Sequence, residues 1–169
     1  MSAKIVFVVL LLFLVTLTGC GGPSKELINF AQQEKVWLEQ LDSIVQQINN
    51  DYSLWLSGEI NRGQLATNLS QYTPIVKDAR EQRSKLYKAL SKNDKDNELY
   101  SKGLYYGYSI NLNVYGFLLD ATQGYFGGNM NHKAIADDDL QERYNASMQA
   151  GYSRKHKLLQ DSIQELLVE

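Results

Sequence analysis

The sequence has a single cysteine among its 169 residues and no excess of positive charge. One cysteine excludes an intramolecular disulfide, so the fold must be stabilised by its core alone. The 17 Lys and Arg residues against 19 Asp and Glu residues give a net charge of −2, and no basic stripe alternates with aromatic side chains. Nucleic acid is therefore not an expected partner.

The motifs of common enzyme classes are also absent from the sequence. There is no Gly-x-Ser-x-Gly motif, no glycine loop for phosphate and no CxxC pair. Neither His132 nor His156 follows a Glu by three residues, as the di-metal sites of helical bundles require. Asp94, Asp96 and Glu98 lack the glycine and the final Glu of a calcium loop, so we expect them to begin a helix. We therefore predict no metal, no cofactor and no catalytic residues.

The longest hydrophobic run lies at the start of the chain. Residues 5–17 are thirteen almost uninterrupted apolar residues after a short cationic segment that ends at Lys4. A membrane-spanning helix needs about 20 such residues, so the length of this run indicates a cleaved signal peptide. Removing residues 1–19 leaves 150 residues with a net charge of −3, which is the size of one domain.

The end of the run, Leu17-Thr18-Gly19-Cys20, resembles the lipobox of bacterial lipoproteins. The resemblance covers the first twenty residues only, and no family is recognised for the remaining domain. It implies that Cys20 is acylated and begins the mature protein, with residues 20–24 as a short tether to the bilayer. Gly21, where an Asp would retain the protein at the inner membrane, implies the outer membrane in a host with two membranes, and otherwise the outer face of the cell membrane. A free thiol or an uncleaved anchor is the alternative.

Apolar residues recur at steps of three and four along most of residues 25–169. This spacing predicts four helices that bury a common seam. They are separated by a stop at 57–58, a polar stretch at 91–97 and a longer, turn-rich loop at 124–137. The expected fold is therefore all-α, an antiparallel up-down-up-down four-helix bundle.

Residues at the predicted helix ends support these boundaries. Ser24 is a suitable N-cap for the first helix. Asn61 and Gln64 have the spacing of a capping box at the start of the second helix. Pro74 lies inside that second helix, where it predicts a kink near Tyr72 rather than a break.

Several polar residues occupy positions where the helical spacing predicts the core. The loop positions place Glu34, Trp37, Arg83, Tyr106 and Lys155 at about one level of the bundle. We expect Glu34 to pair with Arg83, with Trp37 or Tyr106 stacked on the guanidinium. Such a layer fixes the register of the helices in one interpretation and binds a small polar ligand in the other.

Eleven tyrosines are the unusual feature of the composition. Five of them lie on the predicted third helix: Tyr100, Tyr105, Tyr106, Tyr108 and Tyr115. In one interpretation they form a groove that offers rings and hydroxyls to a ligand or a partner. In the other they pack at the rim of the core with their hydroxyls in water.

The loop at 124–137 is the predicted binding site for a protein partner. Tyr125, Phe126, Met130 and Ile135 form an apolar set that the expected topology places at the pole opposite the membrane. An exposed apolar set on a loop is typical of an interface. The alternative is that these side chains fold back and close the end of the bundle.

These features predict a membrane-anchored, extracytoplasmic lipoprotein that acts as a non-catalytic binding or interaction module of the cell envelope. Its expected partners are the lipid bilayer, through Cys20, and a protein of the envelope. Two alternatives stay open. One is a small-molecule receptor or enzyme that uses the polar layer, and the other is a phage or plasmid exclusion lipoprotein.

Replacing Cys20 with Ser should abolish both cleavage of the signal peptide and stable acylation. Two or more acyl chains anchor a protein stably, so their loss should change the fraction of the protein that is recovered with membranes. The measurement is the electrophoretic mobility of the protein and its recovery with membranes, compared between wild type and Cys20→Ser. Unchanged cleavage and unchanged membrane recovery in the variant would show that the lipoprotein prediction is wrong.

Overall fold

The computed structural model describes residues 22–126 and 135–168, and for 123–126 and 168 it describes the backbone only. This part of the chain is helical throughout and contains no strand. The prediction of an all-α fold is therefore confirmed for the described residues. The lipobox with Cys20, together with Gly21 and Met130, lies outside them.

The first helix, α1, runs from Lys25 to Leu56. The side chain of Ser24 accepts a hydrogen bond from the backbone N–H of Leu27 at 3.0 Å, which is the predicted N-cap. The helix ends at Ser57, and Gly58 follows with φ of 79°, a left-handed conformation that glycine adopts without strain. The buried side chains of α1 follow the predicted spacing from Leu27 to Tyr52.

The second predicted helix is interrupted. The structure divides it into α2 (Arg62–Ser70) and α3 (Tyr72–Ala89), separated by Gln71. Pro74 lies in the first turn of α3. Backbone N–H groups in a first turn make no hydrogen bond within the helix, so the lack of an N–H on proline costs nothing there. Its ring would otherwise meet the carbonyl of Ser70, four residues back, so the interruption falls at that point.

Gln71 itself keeps helical backbone angles, so the helix is interrupted at a single residue beside Tyr72 and is not ended by a loop. The capping box of α2 is present as predicted. Asn61 Oδ1 accepts from the N–H of Gln64 at 3.0 Å, and Gln64 Oε1 accepts from the N–H of Asn61 at 2.8 Å.

The polar stretch at 91–97, which is predicted only to separate two helices, contains a single helical turn, α4 (Lys92–Lys95). The third predicted helix then comprises a π-helical segment, π1 (Tyr100–Leu104), and the long helix α5 (Tyr106–Phe126). Asp94 caps α4, since its Oδ2 accepts from the N–H of Ser91 at 2.9 Å, and its Oδ1 accepts from Ser24 Oγ at 2.5 Å. These hydrogen bonds lower the pKa of Asp94 and attach the start of α1 to this turn.

The last predicted helix also has a π-helical insertion. It comprises α6 (Asp137–Tyr144), the π-helical segment π2 (Asn145–Tyr152) and α7 (Ser153–Val168). Among the described residues, no helix is both long and apolar enough to cross a membrane.

All the long elements contribute to one hydrophobic core. Its completely buried members include Leu27, Ile48, Leu65, Leu104, Ile110, Phe117, Leu118, Leu140 and Leu159. Each such side chain stabilises the fold by about 1.5–3 kcal/mol relative to an exposed one. Within this core α1 packs against α2, α3 and α7, α3 packs against α5, and α7 packs against π1.

Gly103 lets π1 and α7 approach each other closely. A Cβ atom at this position would clash with the carbonyl oxygen of Leu158 and with Ser162 Oγ. A backbone oxygen cannot rotate away, so only glycine allows this packing. Gly116, on α5, has no atom within 4 Å of the position where its Cβ would lie.

Gly103→Ala should therefore lower the free energy of unfolding by about 1–3 kcal/mol, because overpacking outweighs the gain in helix propensity. Gly116→Ala is the matched control and should raise it by about 0.5–1 kcal/mol. Urea unfolding followed by circular dichroism measures both. Equal stabilisation by the two alanines would contradict the close approach at Gly103.

Candidate ligand-binding site

A buried ion pair joins α1 to α3. The Nε–H of Arg83 lies 3.1 Å from Glu34 Oε1 and 3.0 Å from Glu34 Oε2. The side chains of Arg83 and Glu34 are only 2% and 1% exposed. Gly107 on α5 makes room for the carboxylate, since a Cβ there would clash with Glu34 Oε2. The ring of Trp37 lies under the guanidinium, with its centroid 5.3 Å from Cζ.

Burial changes the protonation of this carboxyl group. Removal from water raises the pKa of Glu34 from 4.5 to about 7, and the nearby charge and hydrogen bond of Arg83 offset only part of that effect. Glu34 therefore exchanges its proton near neutral pH, whereas arginine keeps its charge.

Arg83 has more hydrogen-bond donors than the pair uses. Its Nη1 and Nη2 atoms are buried and have no hydrogen-bond partner among the described residues. Arg83 and Asn111 line a cavity of about 10 Å³, and Asn111 Oδ1 also lacks a partner in the described part of the chain. That cavity has room for about one water molecule, which accepts two hydrogen bonds at most. Two of the four N–H groups on Nη1 and Nη2 are then still without an acceptor.

Arg83 and Glu34 also line a larger, open pocket of about 410 Å³. Half of its lining residues are aromatic and come from α1, α3 and the stretch from π1 to α5, and the full lining is Phe30, Glu34, Arg83, Ser84, Tyr87, Lys88, Tyr100, Leu104, Tyr105 and Tyr108. Tyr100 is buried between two other rings, with centroids 6.0 Å from Phe30 and 6.2 Å from Tyr87. Pockets of this size and apolar character are typical of small-ligand sites.

Helical spacing explains how the lining is assembled. Phe30 and Glu34 are four residues apart on α1, and Arg83 and Tyr87 are four apart on α3, so each pair lies on one face. Tyr100 and Leu104 come from π1, whose wider turn is uncommon and occurs often near functional sites.

The structure brings together three of the five residues predicted for the polar layer. Glu34, Arg83 and Trp37 are in contact as described above. Tyr106 instead packs its ring against Tyr105, with centroids 4.1 Å apart. The Nζ of Lys155 donates to Ser109 Oγ at 2.6 Å, and neither Lys155 nor Tyr106 lines the pocket.

The tyrosine groove predicted on the third helix corresponds in part to this pocket. Tyr100, Tyr105 and Tyr108 line it, whereas Tyr115 lies under Arg80, whose Cζ is 4.8 Å from the ring centroid. The sequence analysis did not identify the α3 side of the wall, Ser84, Tyr87 and Lys88. Tyr87 was identifiable from its position one helical turn after Arg83.

The predicted partner loop is only partly described. Ile135 is half-buried and packs against the core, as the fold-back alternative expects for that residue. Met130 and the side chains of Tyr125 and Phe126 lie outside the described residues. The partner site at this loop stays a prediction.

A second polar cluster lies between α1 and the last helical stretch. Asp42 accepts hydrogen bonds from the hydroxyl of Tyr152 and from His156, whose Nε2 lies 2.9 Å from Oδ1. Burial and the neighbouring Asp42 raise the pKa of Tyr152. Asp42 also lines an open cavity of about 350 Å³, but both of its side-chain oxygens already have partners within the chain. The pocket beside Arg83 is therefore the stronger candidate.

No protein-family model, curated protein or solved structure matches the chain. No group of three or more metal-ligating side chains occurs in the described part of the chain. The chemistry of the pocket itself is therefore the basis for assigning a function.

The raised pKa of Glu34 has a consequence for stability. Between about pH 4.5 and 7 the folded protein holds a proton that the unfolded chain has released, so the free energy of unfolding should fall as the pH rises. The fall attributable to Glu34 is at most about 3 kcal/mol. Glu34→Gln should remove it, whereas Glu39→Gln, an exposed position on the same helix, should not.

Urea unfolding of the wild type and both variants between pH 4.5 and 8 measures this difference. Each variant's curve is compared with that of the wild type, so the other titrating groups cancel. If the wild type and Glu34→Gln depend on pH in the same way, the shift at Glu34 does not exist.

Proposed function

We propose that the protein is a lipid-anchored, extracytoplasmic binding protein that holds a small organic ligand in the aromatic pocket beside Arg83. One observation carries this proposal. A pocket of about 410 Å³ adjoins a buried arginine that has unpartnered N–H groups. Buried polar groups in native proteins have partners, so these donors call for an acceptor that the described residues do not supply. The small-molecule alternative is thereby favoured over a purely structural layer.

The proposed anchor is the acylated Cys20, and Gly21 favours the outer membrane in a host with two membranes, or otherwise the outer face of the cell membrane. The position of the pocket fits an anchored receptor. Ser24 begins α1, and at 1.5 Å per residue Phe30 and Glu34 lie about 9 to 15 Å along the helix from it. A ligand could therefore reach the pocket from the water layer next to the bilayer.

We also propose that the helical stretches form the up-down-up-down bundle. Their contacts support an antiparallel arrangement, because the residue numbers of contacting partners increase along one stretch while they decrease along the other. Between α1 and the last stretch, Asn49 accepts from the hydroxyl of Tyr144 at 2.7 Å, and Asp42 contacts His156. Between α5 and the last stretch, Asp120 pairs with Arg143 and Ser109 with Lys155.

Binding is favoured over catalysis by the state of the only carboxyl group in the pocket. A carboxyl with a pKa near 7 has the right acidity for general acid-base chemistry. Both oxygens of Glu34, however, face Arg83 Nε, and the side chain is almost completely buried. Its position lets it neutralise the charge of Arg83 but does not let it reach a proton of a substrate.

The proposal is tested by looking for a compound that the pocket retains. The full chain, recovered from bacterial membranes in nanodiscs, should release a small molecule on denaturation. Ser84 is half-buried in the lining, so Ser84→Trp should fill the pocket and lower the yield of that molecule at least tenfold. Ser153→Trp, at an exposed position on α7, is the matched control and should retain it.

Mass spectrometry of the released compounds gives the result. Normal circular dichroism of Ser84→Trp shows that the variant is folded. Identical compounds in equal amounts from all three proteins would rule out the pocket as a ligand site.

A further inference from the structure

The charges around the pocket select one class of ligand. Its charged lining residues are Glu34, Arg83 and Lys88. The lining therefore carries a net charge of +1 when Glu34 is ionised and +2 when Glu34 is protonated. Either state attracts an anion, and Lys88 is exposed where a ligand would approach.

The donors that lack partners have a geometry that favours a carboxylate. A guanidinium presents its N–H groups in a planar fork that matches two carboxylate oxygens. Nε is occupied by Glu34, and Nη1 and Nη2 have no hydrogen-bond partner in the described residues. A water in the small cavity satisfies at most two of their four N–H groups. Arg83 also lines the larger cavity, and a ligand that enters it can supply an acceptor for the others.

The rest of the pocket favours a ring. Phe30, Tyr87, Tyr100, Tyr105 and Tyr108 contribute five aromatic rings to its wall. Aromatic pairs gain about 0.5–1.5 kcal/mol beyond their buried area. A dry cavity of about 150 Å³ already holds benzene. A pocket of about 410 Å³ therefore has room for one ring and a short acidic side chain.

We propose that the ligand is a small aromatic carboxylate, with its acid group on the free N–H groups of Arg83 and its ring among Phe30, Tyr87 and Tyr100. This inference rests on the proposed function, because it assumes that the pocket is a ligand site. It adds the chemical class of the ligand and the residue that recognises it.

Glu34 and the ligand then share one arginine. While Glu34 is ionised, its charge repels the ligand's carboxylate and already neutralises Arg83. Once Glu34 is protonated, the ligand becomes the only anion at the guanidinium. The other groups that face this pair are Lys88 on α3, Tyr100 on π1 and Tyr152 at the end of π2, which interacts with Arg83 and binds Asp42. Affinity should therefore rise as the pH falls through neutrality.

The test uses 3-phenylpropionate as the probe and the full chain in phosphatidylcholine nanodiscs, followed by titration calorimetry at pH 6 and pH 8. 3-Phenylpropionamide has the same shape without the charge, and propionate lacks the ring. The acid should bind on the order of tenfold or more tightly than the amide, which is the range of a hydrogen bond to a charged group. Propionate should bind more weakly still, and the acid should bind more tightly at pH 6 than at pH 8.

Glu34→Gln is the decisive variant, because it should bind the acid at pH 8 as tightly as at pH 6. A gain of affinity at pH 8 cannot arise from misfolding. Glu39→Gln is the matched control on α1. His156→Gln removes the imidazole that contacts Asp42, and it should keep the wild-type response.

Three results would overturn the inference and leave the proposed function intact, provided that the wild type still releases a compound that Ser84→Trp does not retain. They are equal affinity for acid and amide, weaker binding of the acid by Glu34→Gln, and tighter binding of decanoate, whose acyl chain replaces the ring. Absence of any compound retained by the pocket would instead contradict the proposed function itself.

Discussion

The buried pair of Glu34 and Arg83 is the interaction on which the rest of the site depends. Two charges in a core lose their hydration, and their mutual attraction repays that loss only when other hydrogen bonds satisfy the remaining donors. Here the described part of the chain supplies the Glu34 carboxylate to Nε and the ring of Trp37 to one face of the guanidinium, but it supplies no acceptors for Nη1 and Nη2. A well-packed apolar pair would serve stability at least as well. The retention of an incompletely satisfied arginine beside an open pocket is therefore better explained by binding than by folding.

One irregular segment of the backbone and two glycines lie next to that pair. The π-helical segment π1 contributes Tyr100 and Leu104 to the pocket, and Gly103 in the same segment lets α7 pack against it. Gly107, one turn later, leaves the space that the Glu34 carboxylate occupies. A regular helix with alanine at both positions would have better intrinsic helix propensity. It would also close the space for the carboxylate and push α7 away, so the irregular geometry and the site belong to one arrangement.

The sequence alone predicted the features that depend on local chemistry or on regular spacing. The Ser24 cap and the Asn61 capping box follow from short-range hydrogen bonding, and the contact of Glu34 with Arg83 follows from heptad spacing counted across one short turn. The error at Tyr106 has a physical cause. The residue that faces Glu34 is Gly107, one position later, and one residue corresponds to about 100° around a helix. A π-helical turn just before this point shifts the face of every following residue, and nothing in the spacing of apolar residues signals it.

If the protein is the receptor that we propose, the protonation of Glu34 reconciles the two requirements that a buried anion site must meet. Without a carboxyl at this position, the empty protein would bury an uncompensated cation, and an unpaired buried charge destabilises a fold by about 3–5 kcal/mol. With a carboxylate that stayed ionised at all accessible pH values, the guanidinium would be neutralised permanently and would attract a second anion weakly. Burial raises the pKa of Glu34 to about 7, and under the proposed function this lets the carboxyl take up a proton when another anion arrives. In that proposal, the same desolvation that makes the pair costly in the empty protein makes Arg83 available to a ligand.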